Sequence, residues 1–249
     1  MSRPVVLITG ALTGIGRATA VAFARTGAKV IVSGRRAEAG EALVRELRGF
    51  DGAEAEFVET DVRDEAQVRS LIEFAVQRFG RLDVAVNNAG TEGFLGPVTE
   101  QSPETYALAF DTNVLGTLLC MKYEMRVMLE QKSGSIINIS STMGSRGAAN
   151  ASMYVASKHA VEGLTKAAAL EGAASGVRVN AIAPGPVETI LLDRFASTPE
   201  KRQAMTAGIP AKRVGMPEEI AEAVLFLGSP QSSFVMGQII GVNGGKTAF

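Results

Sequence analysis

Apolar and polar positions alternate in two distinct rhythms along the chain. Seven short runs rich in Val, Ile and Leu read as strands: Val5–Thr9, Lys29–Ser33, Ala55–Glu59, Leu82–Asn87, Ser135–Ser140, Arg178–Ala183 and Gln238–Val242. Several are almost unbroken apolar runs, the pattern of parallel strands covered on both faces. Between them the apolar positions recur at helical spacing, over Ile15–Arg25, Ala37–Arg48, Asp64–Phe79, Pro103–Gln131, Ser152–Ala174 and Pro217–Leu227. Ser102-Pro103-Glu104 and Met216-Pro217-Glu218-Glu219 carry helix-start chemistry. Proline suits the first turn and early acids suit the positive end of the helix dipole. Strict strand–helix alternation demands crossover connections and hence an α/β fold with a parallel, doubly wound sheet and helices on both faces. Pro184–Met216 is the one long stretch without a strand, and residues 186–211 within it are expected to form a substrate lid.

The chain has 249 residues, 46% of them apolar and 20% charged. That length and balance fit one globular domain over residues 1–249. The 25 basic and 26 acidic side chains nearly cancel. Neither nucleic acid nor an anionic membrane is therefore an expected partner, because both select clustered positive charge. Cys120 is the only cysteine and His159 the only histidine. No intrachain disulfide can form, and no metal site is expected. The start of the chain carries Pro4 and an apolar run too short for a secretion signal. The expectation is a soluble cytoplasmic protein.

Candidate chemistry begins at the first strand–helix junction, Thr9-Gly10-Ala11-Leu12-Thr13-Gly14-Ile15-Gly16. Glycines there permit a tight turn and a close backbone approach. Free N–H groups at the following helix can hold a pyrophosphate. Glycines packed for their own sake are the plainer alternative, but the strand–turn–helix setting favours a dinucleotide. About 20 residues beyond such a turn, an acidic residue marks NAD. Here Gly34 is followed by Arg35 and Arg36. Guanidinium groups grip a 2′-phosphate, so NADP is favoured over NAD, the alternative being two solvated arginines at a helix start.

Tyr154 and Lys158 lie four residues apart, on one face of a helix. An ammonium beside a phenol favours the phenolate and draws its pKa down from about 10. Thirteen residues earlier, Ser141 offers a hydroxyl to a substrate oxygen. By itself such a Tyr/Lys pair is commonly a surface feature.

The order Thr9–Gly16, Asn87-Asn88-Ala89-Gly90, Asn113, Ser141, Tyr154-x-x-x-Lys158 and Pro184-Gly185 resembles the short-chain dehydrogenase/reductase family. The resemblance runs from Val5 to Gly245, and within the family it is to the 3-oxoacyl-acyl-carrier-protein reductase-like and glucose dehydrogenase-like subgroup. It implies an NAD(P)-dependent oxidoreductase that interconverts a carbonyl and a secondary alcohol. By the same resemblance Tyr154 is the general acid/base, Lys158 contacts the nicotinamide ribose and depresses the tyrosine pKa, and Ser141 orients the substrate oxygen. Asn113 kinks the long helix and supports a water linked to Lys158. Gly10, Thr13, Gly14, Ile15, Gly16, Arg35 and Arg36 form the phosphate and ribose end of the cofactor site. Asp61 and Val62 meet the adenine, Asn88, Ala89 and Gly90 lie along the cofactor, and Pro184, Gly185, Val187 and Thr189 close over the nicotinamide. Asp61 or Asp64 is also available to cap the next helix.

Two features depart from the family. Thr13 stands where NADP-using relatives often have a basic residue, and Asn243 replaces the aspartate of the terminal Val-Asp-Gly-Gly motif. His159, next to Lys158, turns away by about 100°. The substrate pocket is expected along Glu92–Val98, Thr142–Met153 and Pro186–Ala211, with Glu92 and Arg146 its candidate charges and Phe195 part of an apolar lid. A small-molecule carbonyl or alcohol is the first substrate reading. A 3-oxoacyl group on acyl-carrier protein is the second, weakened because Ser135 and Ser175 stand where basic residues would meet an acidic carrier, leaving Lys132. A non-catalytic nucleotide sensor is the third, and it has no use for an acid–base pair. A homotetramer is expected from the resemblance, with Pro103–Gln131 and Ser152–Ala174 at one interface and Pro217–Leu227 and the last strand at another.

Overall fold

The computed structural model describes residues 3–248. Seven strands form one sheet: β1 (Val5–Ile8), β2 (Lys29–Gly34), β3 (Glu54–Glu59), β4 (Val84–Asn87), β5 (Gly134–Ile139), β6 (Val177–Pro184) and β7 (Ile239–Val242). Their order is β3-β2-β1-β4-β5-β6-β7, and every pairing is parallel. Successive residues of a strand serve opposite layers. Val6, Ile8, Val30 and Val32 pack against α1 (Gly14–Arg25), α2 (Ala37–Leu47) and α9 (Pro217–Gly228). Val5, Leu7 and Ile31 pack against α3 (Glu65–Phe79), α5 (Gly116–Gln131) and α6 (Ser152–Gly172). This double cover explains why the strands read as apolar runs rather than alternating ones. The strand order reverses between β1 and β4, which opens a crevice at their carboxyl ends.

The expected continuous helix over Pro103–Gln131 is divided. Its first part, α4 (Pro103–Phe110), ends in a π turn at Asp111–Leu115 before α5 begins. The cause is Asn113, fully buried inside that turn and bonded sideways to other segments. Such bulges widen a helix locally and recur at functional sites. The stretch without a strand contains two further helices, α7 (Ile190–Phe195) and α8 (Pro199–Ala207). Thr189 caps α7 through Leu192 N–H, and Thr198 caps α8 through Lys201 N–H. Of the two candidate caps for α3, Asp64 takes the role, accepting from Ala66 and Gln67 N–H.

Candidate active site

A cavity of about 580 Å³ lies along the carboxyl edge of the sheet. The expected site residues line it, apart from Gly16 and Asn113, which are buried behind it. At one end the turn after β1 passes through left-handed backbone at Gly10 (φ +60°) and Gly14 (φ +53°). A Cβ on Gly10 would stand 2.7 Å from Ala89 Cα, and one on Gly16 would stand 2.5 Å from Asn88 Nδ2. The glycines thus let two loops close on one another. Asn88 locks them together, its Nδ2 donating to Thr9 O (3.1 Å) and Gly10 O (2.9 Å). The cradle and the N-terminus of α1 leave a groove fit for a dinucleotide pyrophosphate.

Arg35 and Arg36 are exposed at the end of β2, and neither makes an ion pair among the described residues. Asp61 lines the same end, but Arg63 grips its carboxylate, with Nε 2.9 Å from Oδ1 and Nη2 2.5 Å from Oδ2. That contact holds the carboxyl below its usual range, with a smaller contribution from the charge of Arg35. Val62 is buried against Gly116. Pro184, Gly185, Val187 and Thr189 form the opposite wall, where Gly14 and Thr189 nearly touch.

At the other end Tyr154, Lys158 and Ser141 converge. The Tyr154 phenol is buried beside the Ser141 hydroxyl, and Phe195 of α7 packs edge-on to its ring at 5.5 Å. Lys158 Nζ lies 5.7 Å from the ring centroid and donates to Ile139 O (2.8 Å). Here the electrostatics differ from the sequence expectation. The phenol is not drawn down by the ammonium. Burial pushes it up to about 12, the Ser141 hydrogen bond lowers it in part, and the negative charge of Glu92 raises it. Burial likewise pulls Lys158 down to about 8, opposed by Glu162. The reason is the dry surround that Phe195 helps to build, which penalises both charged forms.

Asn113 ties the π turn to this centre. Its Nδ2 donates to Thr91 O (2.8 Å) and Ser157 Oγ (2.9 Å), and its Oδ1 accepts from Thr91 N–H (2.8 Å). Glu162 accepts from Ser140 Oγ at 2.9 Å, and a Cβ on Gly144 would strike the same carboxylate. His159 is exposed and does not line the cavity, in keeping with its turn away from the face that carries Lys158. The expected wall at Glu92–Val98 does not face the cavity, and neither do Gly144, Gly147, Ala148 and Ala149. Glu92 instead turns to Arg194 of α7, with Oε1 at 3.1 Å from Nη1. Sequence reasoning missed Lys246 on the cavity; Arg194 falls within the expected wall at Pro186–Ala211, but its pairing was not foreseen. No local spacing could have paired Arg194 with a partner 102 residues away.

A crevice at the strand-order switch, a glycine cradle and a buried Tyr/Lys/Ser group define a dinucleotide-dependent enzyme fold. Comparison with known proteins then gives its family. A family profile described as enoyl-(acyl carrier protein) reductase matches residues 10–247. The chain is 43% identical to cis-4-hydroxycyclohexanecarboxylate dehydrogenase of Sinomonas cyclohexanicum, covering 98% of this chain and 96% of that one. It is 41% identical to 3-oxoacyl-[acyl-carrier-protein] reductase FabG of Thermotoga maritima, covering 97% and 96%. The structure of ElxO with NADP bound superposes with a TM-score of 0.93 at 35% identity, covering the whole of both chains. The protein belongs to the short-chain dehydrogenase/reductase family and is an oxidoreductase.

Proposed function

We propose that this chain is an NAD(P)(H)-dependent oxidoreductase that interconverts a carbonyl and a secondary alcohol, with NADP preferred. The observation that carries the reading is the buried Tyr154–Ser141–Lys158 group facing the same cavity as the glycine cradle. When bound, the dinucleotide supplies or accepts the hydride. Gly10, Thr13, Gly14, Ile15 and Gly16 hold its pyrophosphate, and Arg35 and Arg36 hold the 2′-phosphate. Asp61 and Val62 flank the adenine. Asn88, Ala89, Gly90, Pro184, Gly185, Val187 and Thr189 fix the remainder.

In the reducing direction Ser141 donates a hydrogen bond to the substrate carbonyl oxygen. Tyr154, protonated in its dry setting, gives that oxygen its proton as the carbon gains hydride. Lys158, steadied by Ile139 O, faces the phenolate that remains. Asn113 holds Thr91 and Ser157 so that α6 presents both side chains together. Residues 186–211 act as the lid of a single domain. The second reading, a 3-oxoacyl group on acyl-carrier protein, is favoured by the relationship to the Thermotoga reductase. The first relative's name points instead to a free ring-bearing alcohol.

The exposed apolar side chains of Tyr106, Leu108 and Leu118 on α4 and α5, and of Phe226 on α9, support assembly into a homotetramer. Among the described residues no helix is long and apolar enough to cross a membrane. The decisive test is Tyr154→Phe. It is expected to abolish NADPH-linked turnover of cyclohexanone while NADPH still quenches or shifts in a binding titration. Undiminished turnover in that variant removes the mechanism.

A further inference from the structure

Six charged residues line the cavity: Arg35, Arg36, Asp61, Lys158, Arg194 and Lys246. The first two stand at the ribose end. Asp61 is paired with Arg63, Arg194 with Glu92, and Lys158 donates to a backbone carbonyl. Lys246 is different. It is half-buried, and its ammonium has no hydrogen-bond or ion-pair partner among the described residues.

The position of Lys246 is built rather than incidental. It sits in the turn after β7, where Asn243 Nδ2 donates to Thr247 Oγ1 (2.7 Å) and Lys246 N–H donates to Asn243 O (3.2 Å). Gly185 N–H donates to Val242 O (3.0 Å), and a Cβ on Gly185 would meet Asn243 Cα at 2.9 Å. Ala211 N–H donates to Gly244 O (3.0 Å). The turn is therefore wedged between the segment that follows β6 and the far end of the lid. Arg146, five residues beyond Ser141, is close enough for its positive charge to act on Lys246. Burial and that charge together hold the ammonium below its ordinary pKa. A half-buried cation with no carboxylate partner among the described residues is stabilised when an anion arrives. The compact ammonium matches a single negative charge.

We propose that Lys246 is an anion subsite of the substrate pocket, and that the substrate is a carbonyl compound or secondary alcohol that also bears a carboxylate. The proposal rests on the reading of this cavity as a carbonyl/alcohol site and narrows it. Lys246 binds the end of the substrate remote from the reacting carbon, so its energy is spent on orientation. The glutamate of the lid contact adds no competing pull, because Arg194 already occupies it.

The test is a calorimetric titration of the full chain, with and without NADPH, using cyclohexanecarboxylate and the isosteric cyclohexanecarboxamide. The wild type is expected to bind the carboxylate about tenfold or more tightly than the amide, the strength of one charge-assisted contact. Lys246→Met should erase that preference and Lys246→Arg should keep most of it. Equal affinity for the two compounds, no binding of either, or a preference that survives Lys246→Met overturns the subsite. Turnover answers the parent reading separately. A chain that prefers the carboxylate yet reduces neither cyclohexanone nor 4-oxocyclohexanecarboxylate keeps the subsite and loses the proposed reaction. One that reduces both without regard to charge keeps the reaction and loses the subsite.

Discussion

Replacing Glu124 by glutamine should change how stability depends on pH. Glu124 lies in α5 and is fully buried. Its Oε2 accepts from Asn87 Nδ2 at 3.0 Å, while Oε1 has no partner among the described residues. An ionised carboxylate needs several donors, so this environment favours the acid form. Burial accordingly pushes its pKa from 4.5 up to about 8. The folded chain then holds this proton more tightly than the unfolded chain does. The resulting stability is fully present below pH 4.5 and is lost as the pH rises through about 8. At 1.36 kcal/mol per tenfold change in proton affinity, the loss is up to about 5 kcal/mol. The neighbouring Cys120 thiol, raised by burial and by Glu124, stays neutral over that range. Glu124→Gln keeps the shape and cannot ionise. Urea unfolding of both proteins from pH 5 to pH 9 should show the stability difference moving in favour of the variant by several kcal/mol up to about pH 8 and levelling off above it. Parallel curves for the two proteins would refute the reasoning.

Other consequences are as direct. Arg35→Ala should narrow the preference for NADPH over NADH by about tenfold, the scale of one charged contact to phosphate; equal affinities in the wild type would contradict the 2′-phosphate assignment. Gly10→Ala sets a Cβ 2.7 Å from Ala89 Cα at φ +60°, so urea unfolding should show a loss of about 1–3 kcal/mol together with weakened NADPH binding. Arg194→Met strands the buried Glu92 carboxylate and frees α7. KM should rise several-fold with faster proteolysis between residues 190 and 211, and Glu92→Gln in the same chain should recover part of the loss, because the orphaned charge is then gone.

The sheet was legible because buried parallel strands announce themselves locally, as Val5–Ile8 and Arg178–Ala183 do. The helix breaks were not. The π turn at Asp111–Leu115 depends on bonds from Asn113 to Thr91 and Ser157, residues 22 and 44 positions away. Helix α8 begins with Thr198-Pro199, the same start chemistry as Ser102-Pro103. It buries no residue, so it has no apolar stripe to betray it. Residue identities around Tyr154 were readable from spacing. Its acidity was not, because that follows from burial beneath Phe195 and from Glu92, which reach it from α7 and from the loop after β4. Lys246 escaped for the same reason: only the folded turn after β7 brings it to the cavity.

The acidity of Tyr154 and Lys158 bears on which state this site favours. Burial moves both groups toward neutrality, the phenol up to about 12 and the ammonium down to about 8. A resting phenolate would have to form in a dry setting with Glu92 nearby, and both influences oppose it. On the proposed roles the situation changes when the phenol gives its proton to a substrate oxygen. The negative charge then appears on the ring, whose centroid is 5.7 Å from Lys158 Nζ, and the burial of both side chains strengthens their attraction. The attraction is thus strongest after proton transfer begins and weak before it. An arrangement of that kind stabilises the developing charge rather than the resting enzyme, which is what acceleration requires. On the same proposed roles, Phe195 of α7 serves that end, because its ring covers the phenol edge-on and so strengthens the ammonium's pull once charge has formed.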